Sequence, residues 1–200
     1  MRRAPRRSAA TLALSCLLAL ASPRSAPAEM HVGAAAGESM PWDAGASAGP
    51  AFAGQVLASG LGDRLRLGGE LEFRSYEVDL LGLDGIGLHS YDLRAIAQIV
   101  PFPRHFSPYA GLGIGVELLE LDDPRLEAAL AAAGFRSDAW GLAAGGVAFL
   151  GLGLPLGEHF SLFAEGRAGL SFDLVGDQDV NLKPGDLGAV TGMAGLRLRF

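Results

Sequence analysis

Between residues 64 and 77 apolar and polar side chains alternate. Leu65, Leu67, Leu71 and Phe73 share one parity, and Arg66, Glu70, Glu72, Arg74 and Tyr76 the other. A period of two marks a β-strand, whose successive side chains point to opposite faces. Here one face is apolar and the other charged. Residues 160–174 repeat the arrangement, with Phe160, Leu162, Ala164, Ala168, Leu170 and Phe172 against Glu165, Arg167, Ser171 and Asp173. So do residues 91–100, with Tyr91, Leu93, Ala95, Ala97 and Ile99 against Asp92, Arg94 and Gln98. Residues 187–200 set Val190, Ala194, Leu196, Leu198 and Phe200 against Thr191, Arg197 and Arg199. Weaker segments at 30–37, 44–59, 108–121 and 138–154 bring the expected strands to eight.

The connections carry a second pattern. Residues 60–62, 103–106 and 156–158 suit tight turns, whereas 80–87, 122–137 and 175–185 suit long loops, and residues 38–43 make a brief connection on the long side. Short turns on one rim and longer loops on the other, with an even strand number, describe an up-and-down transmembrane barrel with both termini at the short-turn side. Aromatic residues fall at both ends: Phe102, Phe106, Tyr109, Phe160 and Phe200 near the short turns, and Trp42, Tyr76, Tyr91, Trp140 and Phe172 near the long loops. They predict two interfacial girdles. The fold expected is all-β: an eight-stranded antiparallel barrel with its apolar face toward lipid and its charged face inward.

Two rivals make different predictions. Residues 139–157 lack charge and are long enough for a membrane helix, but six glycines and Pro155 suit a helix interior poorly. A soluble, lipocalin-like periplasmic binding barrel would carry its polar residues outside and line a pocket with apolar ones.

The first 28 residues stand apart from the alternation. Arg2, Arg3, Arg6 and Arg7 precede an apolar run over 11–21, and Ala26-Pro27-Ala28 supplies small residues, which predicts a secretory signal peptide cut after Ala28. Ala26 and Ala28 are the cleavage-site residues, and residues 29–200 form the barrel domain. The one cysteine, Cys16, lies in the exported segment, which leaves the mature chain without thiols for disulfides, metal ligation or nucleophilic catalysis. The segment takes five basic residues and no acid with it. Eleven bases then face 22 acids, a net charge of −11, so nucleic acid is not expected as a partner.

Two short stretches carry a resemblance. Ala194-Gly195-Leu196-Arg197-Leu198-Arg199-Phe200 resembles the C-terminal strand of bacterial outer-membrane proteins, alternating and closing on an aromatic residue. Pro108-Tyr109-Ala110-Gly111-Leu112-Gly113-Ile114-Gly115 is similar to a strand frequent in the outer-membrane β-barrel domain family, which includes OmpA-like, OmpX-like and opacity-type proteins. The resemblance implies a Gram-negative outer-membrane location with periplasmic termini, contact with membrane lipid and lipopolysaccharide, and recognition of Leu196, Leu198 and Phe200 by the barrel assembly machinery. No tethering domain is expected after Phe200.

The candidate chemistry is the inward charge: Arg66, Glu70, Glu72, Arg74, Asp92, Arg94, Glu117, Glu165, Arg167, Arg197 and Arg199. An eight-stranded barrel is about wide enough for side chains to fill, so paired charges would close it. The competing functional view is a narrow path for small solutes or ions. His89-Ser90 invites comparison with the His/Ser pair of outer-membrane lipid A hydrolases, but adjacent strand residues face opposite sides and cannot serve one another. The four histidines lack metal-ligand spacing. Acidic loops carrying Glu38, Asp43, Asp84, Asp122, Asp123, Asp177 and Asp179 suit solvation, or divalent cations bridging to lipopolysaccharide. Asp123-Pro124 through Ala133-Gly134 predicts a short capped helix that either covers the barrel or steadies its loop. The function expected is non-enzymatic, structural or surface-interacting, without a cofactor.

Overall fold

A computed structural model describes residues 29–42, 46–60, 64–80, 83–103, 106–132, 140–176 and 188–200. The signal segment with Ala26 and Ala28, His105, Asp43, the end of the predicted helix and most of the loop carrying Asp177 and Asp179 lie outside them. Nine strands appear among the described residues: β1 Met30–Pro41, β2 Ala46–Ser47, β3 Gly49–Gly60, β4 Leu65–Leu80, β5 Leu83–Ile99, β6 Ser107–Asp122, β7 Trp140–Pro155, β8 Phe160–Gly176 and β9 Ala189–Arg199, with one helix, α1 Pro124–Ala132. Eight of them run antiparallel in a closed cycle, β1-β3-β4-β5-β6-β7-β8-β9 and back to β1. The two-residue β2 lies alongside β4 as a continuation of β3.

Closure depends on β9 finding β1, with Val32 opposite Leu198 and Ala36 opposite Ala194. It leaves no exposed barrel edge, which is the condition for a sheet in lipid. The outer wall is apolar: Leu112, Ile114 and Leu150 are each at least 67 % exposed, and Leu71, Leu93, Ile99, Phe172 and Phe200 also face outward. The charged side chains of the opposite parity in the middle of the strands are buried inside. This is the reverse of a water-soluble barrel, and residues 140–155 form strand β7, which disposes of the membrane-helix reading.

The aromatic girdles need correction. Phe102, Phe106, Phe160 and Phe200 are exposed at one end, and Trp42, Tyr91, Trp140 and Phe172 at the other, but Tyr76 and Tyr109 are only 5 % and 3 % exposed and point inward. Their position along the strand suits a girdle. Their parity, shared with Arg74 and with Gly111, does not.

Strand lengths also depart from expectation. About 9–11 tilted residues cross a membrane, yet β4 through β8 run to 16 or 17. The expected loop over 80–87 is largely strand: β4 and β5 stay paired from Glu77–Gly87 out to Leu80–Leu83, through one irregularity after Val78. Glu38 likewise belongs to β1, opposite Pro50, rather than to a connection. The β4–β5 hairpin persists because its inner face is covered. Ile86 is fully buried against Leu126 of α1, flanked by Val78, Leu83 and Leu121. Asp123 caps the helix by accepting the Arg125 backbone N–H at 2.7 Å, and the Arg125 guanidinium donates to the Asp84 and Gly85 carbonyls at the hairpin tip.

Candidate functional site

Because the barrel strands keep their parity apart from irregularities after Val78 and Leu142, the inner face collects one side chain in two from eight directions. Near the long-loop end these are apolar, with Tyr76, Leu88 and Leu119 buried together. The Tyr76 hydroxyl is bonded to Ser39, which is bonded in turn to Thr191, both at 2.8 Å. Toward the short-turn end Leu57, Ile96, Val100, Phe149, Phe163 and Met193 belong to a second apolar cluster. Most of the ions lie between them, level with Phe149 and Met193, while Arg66 and Arg197 lie nearer the short-turn rim.

Ten of the eleven expected lumen charges are buried: Glu70, Glu72, Asp92, Glu117 and Glu165 with Arg66, Arg74, Arg94, Arg167 and Arg197. Five carboxylates meet five guanidiniums, a balance of zero. Arg74 reaches Asp92 and Glu117, each at 2.7 Å. Arg94 pairs with Asp92 at 2.9 Å and also with Glu72. Arg167 binds Glu70 at 2.7 Å, Glu72 at 3.0 Å and Glu165 at 2.6 Å. Glu117 also accepts Ser90 at 2.5 Å and the Ser171 hydroxyl. A buried charge is tolerated only when paired and hydrogen-bonded, and these carboxylates are each held by a guanidinium. Arg199 is the exception to the expected set. It lies exposed at the short-turn rim, donating to the Glu158 carbonyl at 3.0 Å, with Glu29 at 3.6 Å.

Residues without charge, outside the expected set of inward ions, complete the network. Tyr109 donates to Glu165 at 2.7 Å, and Gln55 accepts from Arg197 at 3.1 Å and from Gln98 at 3.3 Å. Tyr109 and Phe149 sit opposite Gly151 and Gly111 on the paired strands β6 and β7. A Cβ at either glycine would overlap the facing ring. Each ring therefore lies flat against bare backbone and presents its other side to a cation, Arg197 over Tyr109 at 5.4 Å and Arg167 over Phe149 at 5.8 Å. A guanidinium over an aromatic face is a favourable cation–π contact. The glycines of the tyrosine-bearing strand thus have a packing role. The signal was available: Gly111 and Tyr109 share the inward parity.

His89 and Ser90 do point apart. Ser90 is buried in the ion network, whereas His89 is half-buried on the outer face, its ring centroid 5.8 Å from that of Phe73. They do not form a nucleophile–base pair. Leu196 and Phe200 face outward on the closing strand, and Leu198 is partly covered there.

No protein-family model matches the chain, and no curated protein matches it. Among solved structures it is similar to Neisserial surface protein A, at 14% identity over 89% of this chain and 100% of that one, with a TM-score of 0.60. It is also similar to Ail, the attachment invasion locus protein of Yersinia pestis, in complex with the heparin analogue sucrose octasulfate, at 13% identity, 88% and 100% coverage and TM-score 0.56. The N-terminal β-barrel domain of Pseudomonas aeruginosa OprF gives 14% identity, 88% and 100% coverage and TM-score 0.50. These are small eight-stranded outer-membrane β-barrels, and at such identity the likeness concerns the fold.

Proposed function

We propose, from that shared fold and the apolar outer wall, that this chain is a non-enzymatic outer-membrane barrel with periplasmic termini. On this reading its lumen is closed by paired ions and its work is done at the long-loop end. The observation that carries the closed lumen is the Arg167–Glu70 pair, which joins opposite walls of the cylinder. Apolar side chains on either side of the ion layer support it: a solute would have to part packed clusters as well as neutralised charges.

The narrow-pore reading draws on the same charges, and planar-bilayer recording separates the two. The folded protein is expected to show no single-channel steps above the lipid baseline; reproducible steps would favour the pore. Outer-membrane location is tested by fractionation and by heat-modifiable gel mobility. Recovery in the soluble periplasm would remove the premise without bearing on conductance.

The surface role is to hold a partner, and charge narrows its chemistry. Glu77, Asp79, Asp84 and Glu120 are exposed along the extended strands, with Arg125 as the exposed cation on α1. Such a rim repels a polyanion like the one bound to Ail and suits a cationic partner, or divalent cations bridging to lipopolysaccharide phosphates. Binding assays against cationic and sulfated ligands over a range of salt would test this; tighter binding of the sulfated ligand would overturn it.

A further inference from the structure

On the outer wall, near the long-loop rim, three rings stand side by side. Phe52 of β3 is opposite Phe73 of β4, which is opposite Tyr91 of β5. Their centroids are 6.4 and 5.2 Å apart, and the His89 ring stacks on Phe73 at 5.8 Å. Phe52 and Tyr91 are 52 % and 44 % exposed, so the ladder keeps open faces at the level where rings meet the membrane interface. Ser75, His89 and Glu120 form the next outward row toward the long loops, and Glu77 with Gly87 begins the row beyond. Two residues advance about 7 Å along a strand, which sets both carboxylates on the water side of the rings.

Glu77 and Glu120 are exposed, and no described residue pairs with either carboxylate. The Glu77 Oε2 lies over bare backbone, 3.9 Å from where a Cβ would stand at Gly85. Gly87, on the strand between β4 and β6, presents no side chain to fill the space separating the two acids. The Arg125 guanidinium at the hairpin tip is already taken up by Asp123 and by the Asp84 and Gly85 carbonyls. Across the barrel, β8 and β9 turn Gly166, Ala168, Gly192 and Ala194 outward, with neither ring nor acid among them. The combination of open rings and unpaired acids thus belongs to one wall.

We propose that the β3–β6 wall docks a cationic amphipathic helix lying in the outer leaflet, its apolar side against Phe52, Phe73 and Tyr91 and its basic side at Glu77 and Glu120. Such a helix sinks its apolar face about 5–10 Å into the boundary of headgroups and acyl chains and keeps Lys and Arg above. That order complements rings below and carboxylates above. A basic side chain is also attracted to an open ring face, whereas a phosphate or sulfate group meets like charge here. The inference deepens the surface role proposed above and rests on the outer-membrane reading. It adds that the partner lies in the membrane plane against one wall.

The probe is a spin-labelled amphipathic Leu/Lys peptide added to isotope-labelled barrel in phosphatidylcholine nanodiscs. Heat-modifiable gel mobility checks the fold, and co-elution with the nanodisc checks insertion. Line broadening in NMR spectra is expected at Phe52, Tyr91 and Gly87 but not at Gly166 or Ala194. Glu77→Gln and Glu120→Gln, which remove no contact within the barrel, should each weaken binding roughly threefold and together roughly tenfold, the scale of exposed ion pairs. A Leu/Glu peptide with the same apolar face should bind no better than it does to empty nanodiscs. Broadening spread evenly around the barrel, or unchanged in the double variant, would show partitioning into lipid alone and overturn the docking site. Broadening confined to α1 and the hairpin tip would keep a cationic surface partner and overturn its place on the wall. A folded barrel that does not enter nanodiscs would overturn the outer-membrane reading itself, and the docking site with it.

Discussion

Arg167 and Glu70 meet as a two-pronged pair, Nη1 to Oε1 at 2.8 Å and Nη2 to Oε2 at 2.7 Å. Their strands, β8 and β4, stand four places apart in either direction around the eight-strand cycle. No backbone hydrogen bond links those walls; side chains do. Both groups are buried, so removing either one unbalances charge away from water, although Arg167 keeps Glu72 and Glu165 and Glu70 keeps Arg94 at 3.6 Å. Arg167→Met or Glu70→Gln is expected to lower stability by about 3–5 kcal/mol. The double variant should cost less than the two single losses together, with a coupling of about 0.5–3 kcal/mol. Urea unfolding in micelles, followed by gel mobility, measures the cycle; strict additivity would show that the cross-lumen pair contributes no specific coupling.

The glycine seats make a sharper contrast. A Cβ on Gly111 would overlap the Phe149 ring and come close to the Ala97 carbonyl, whereas one on Gly166 meets nothing within 4 Å. Gly111→Ala is expected to destabilise by about 1–3 kcal/mol through overpacking. Gly166→Ala is expected to be neutral or stabilising, because alanine restricts the unfolded chain. Equal effects in the same unfolding assay would refute the packing role given to the Tyr109–Gly151 and Phe149–Gly111 pairs.

The helix on the outer hairpin predicts an acid response. Hydrogen bonds from the Arg125 side chain, then its backbone N–H, hold the Asp123 carboxyl down at about 2. A carboxyl depressed on folding adds stability above its unfolded value near 3.8, and that contribution is lost as pH falls toward 2. Amide exchange in α1 should therefore quicken as pH falls through that window and show no further pH response from Asp123 near neutrality, where the capping carboxylate is fully charged. Asp123→Asn keeps a capping oxygen and should protect the helix better than Asp123→Ala. Protection in Asp123→Ala equal to wild type would mean that packing of Leu126 on Ile86 alone holds the helix.

The last strand predicts a split between folding and biogenesis. Phe200 is 73 % exposed and makes its backbone bonds with Met30. Phe200→Ala should thus refold in micelles nearly as well as wild type, while its insertion in cells falls if the assembly machinery reads the terminal aromatic. Unchanged insertion, measured by membrane fractionation, would remove that assembly signal.

Alternation alone carried most of this architecture, because side-chain parity is a local property of an extended backbone. Residues 64–77 announce a strand, and the sign pattern on it says which face meets lipid and which meets the interior. That is why ten charged residues expected on the inner face of five separate strands are found buried together. Arg199 shares their parity but lies one step from the chain end, where the lumen has already opened to solvent. What only the closed tertiary structure decided is pairing across space. Nothing near Arg167 in the chain points to Glu70, 97 residues away, and nothing near Tyr109 says that Gly151 will make room for its ring. The extended β4–β5 hairpin was illegible for the same reason. Residues 80–87 look like a loop by themselves, yet Leu80 and residues 83–87 are strand where Leu126 covers Ile86. Local pattern sets the direction of every side chain, and the closure of the sheet sets what it meets.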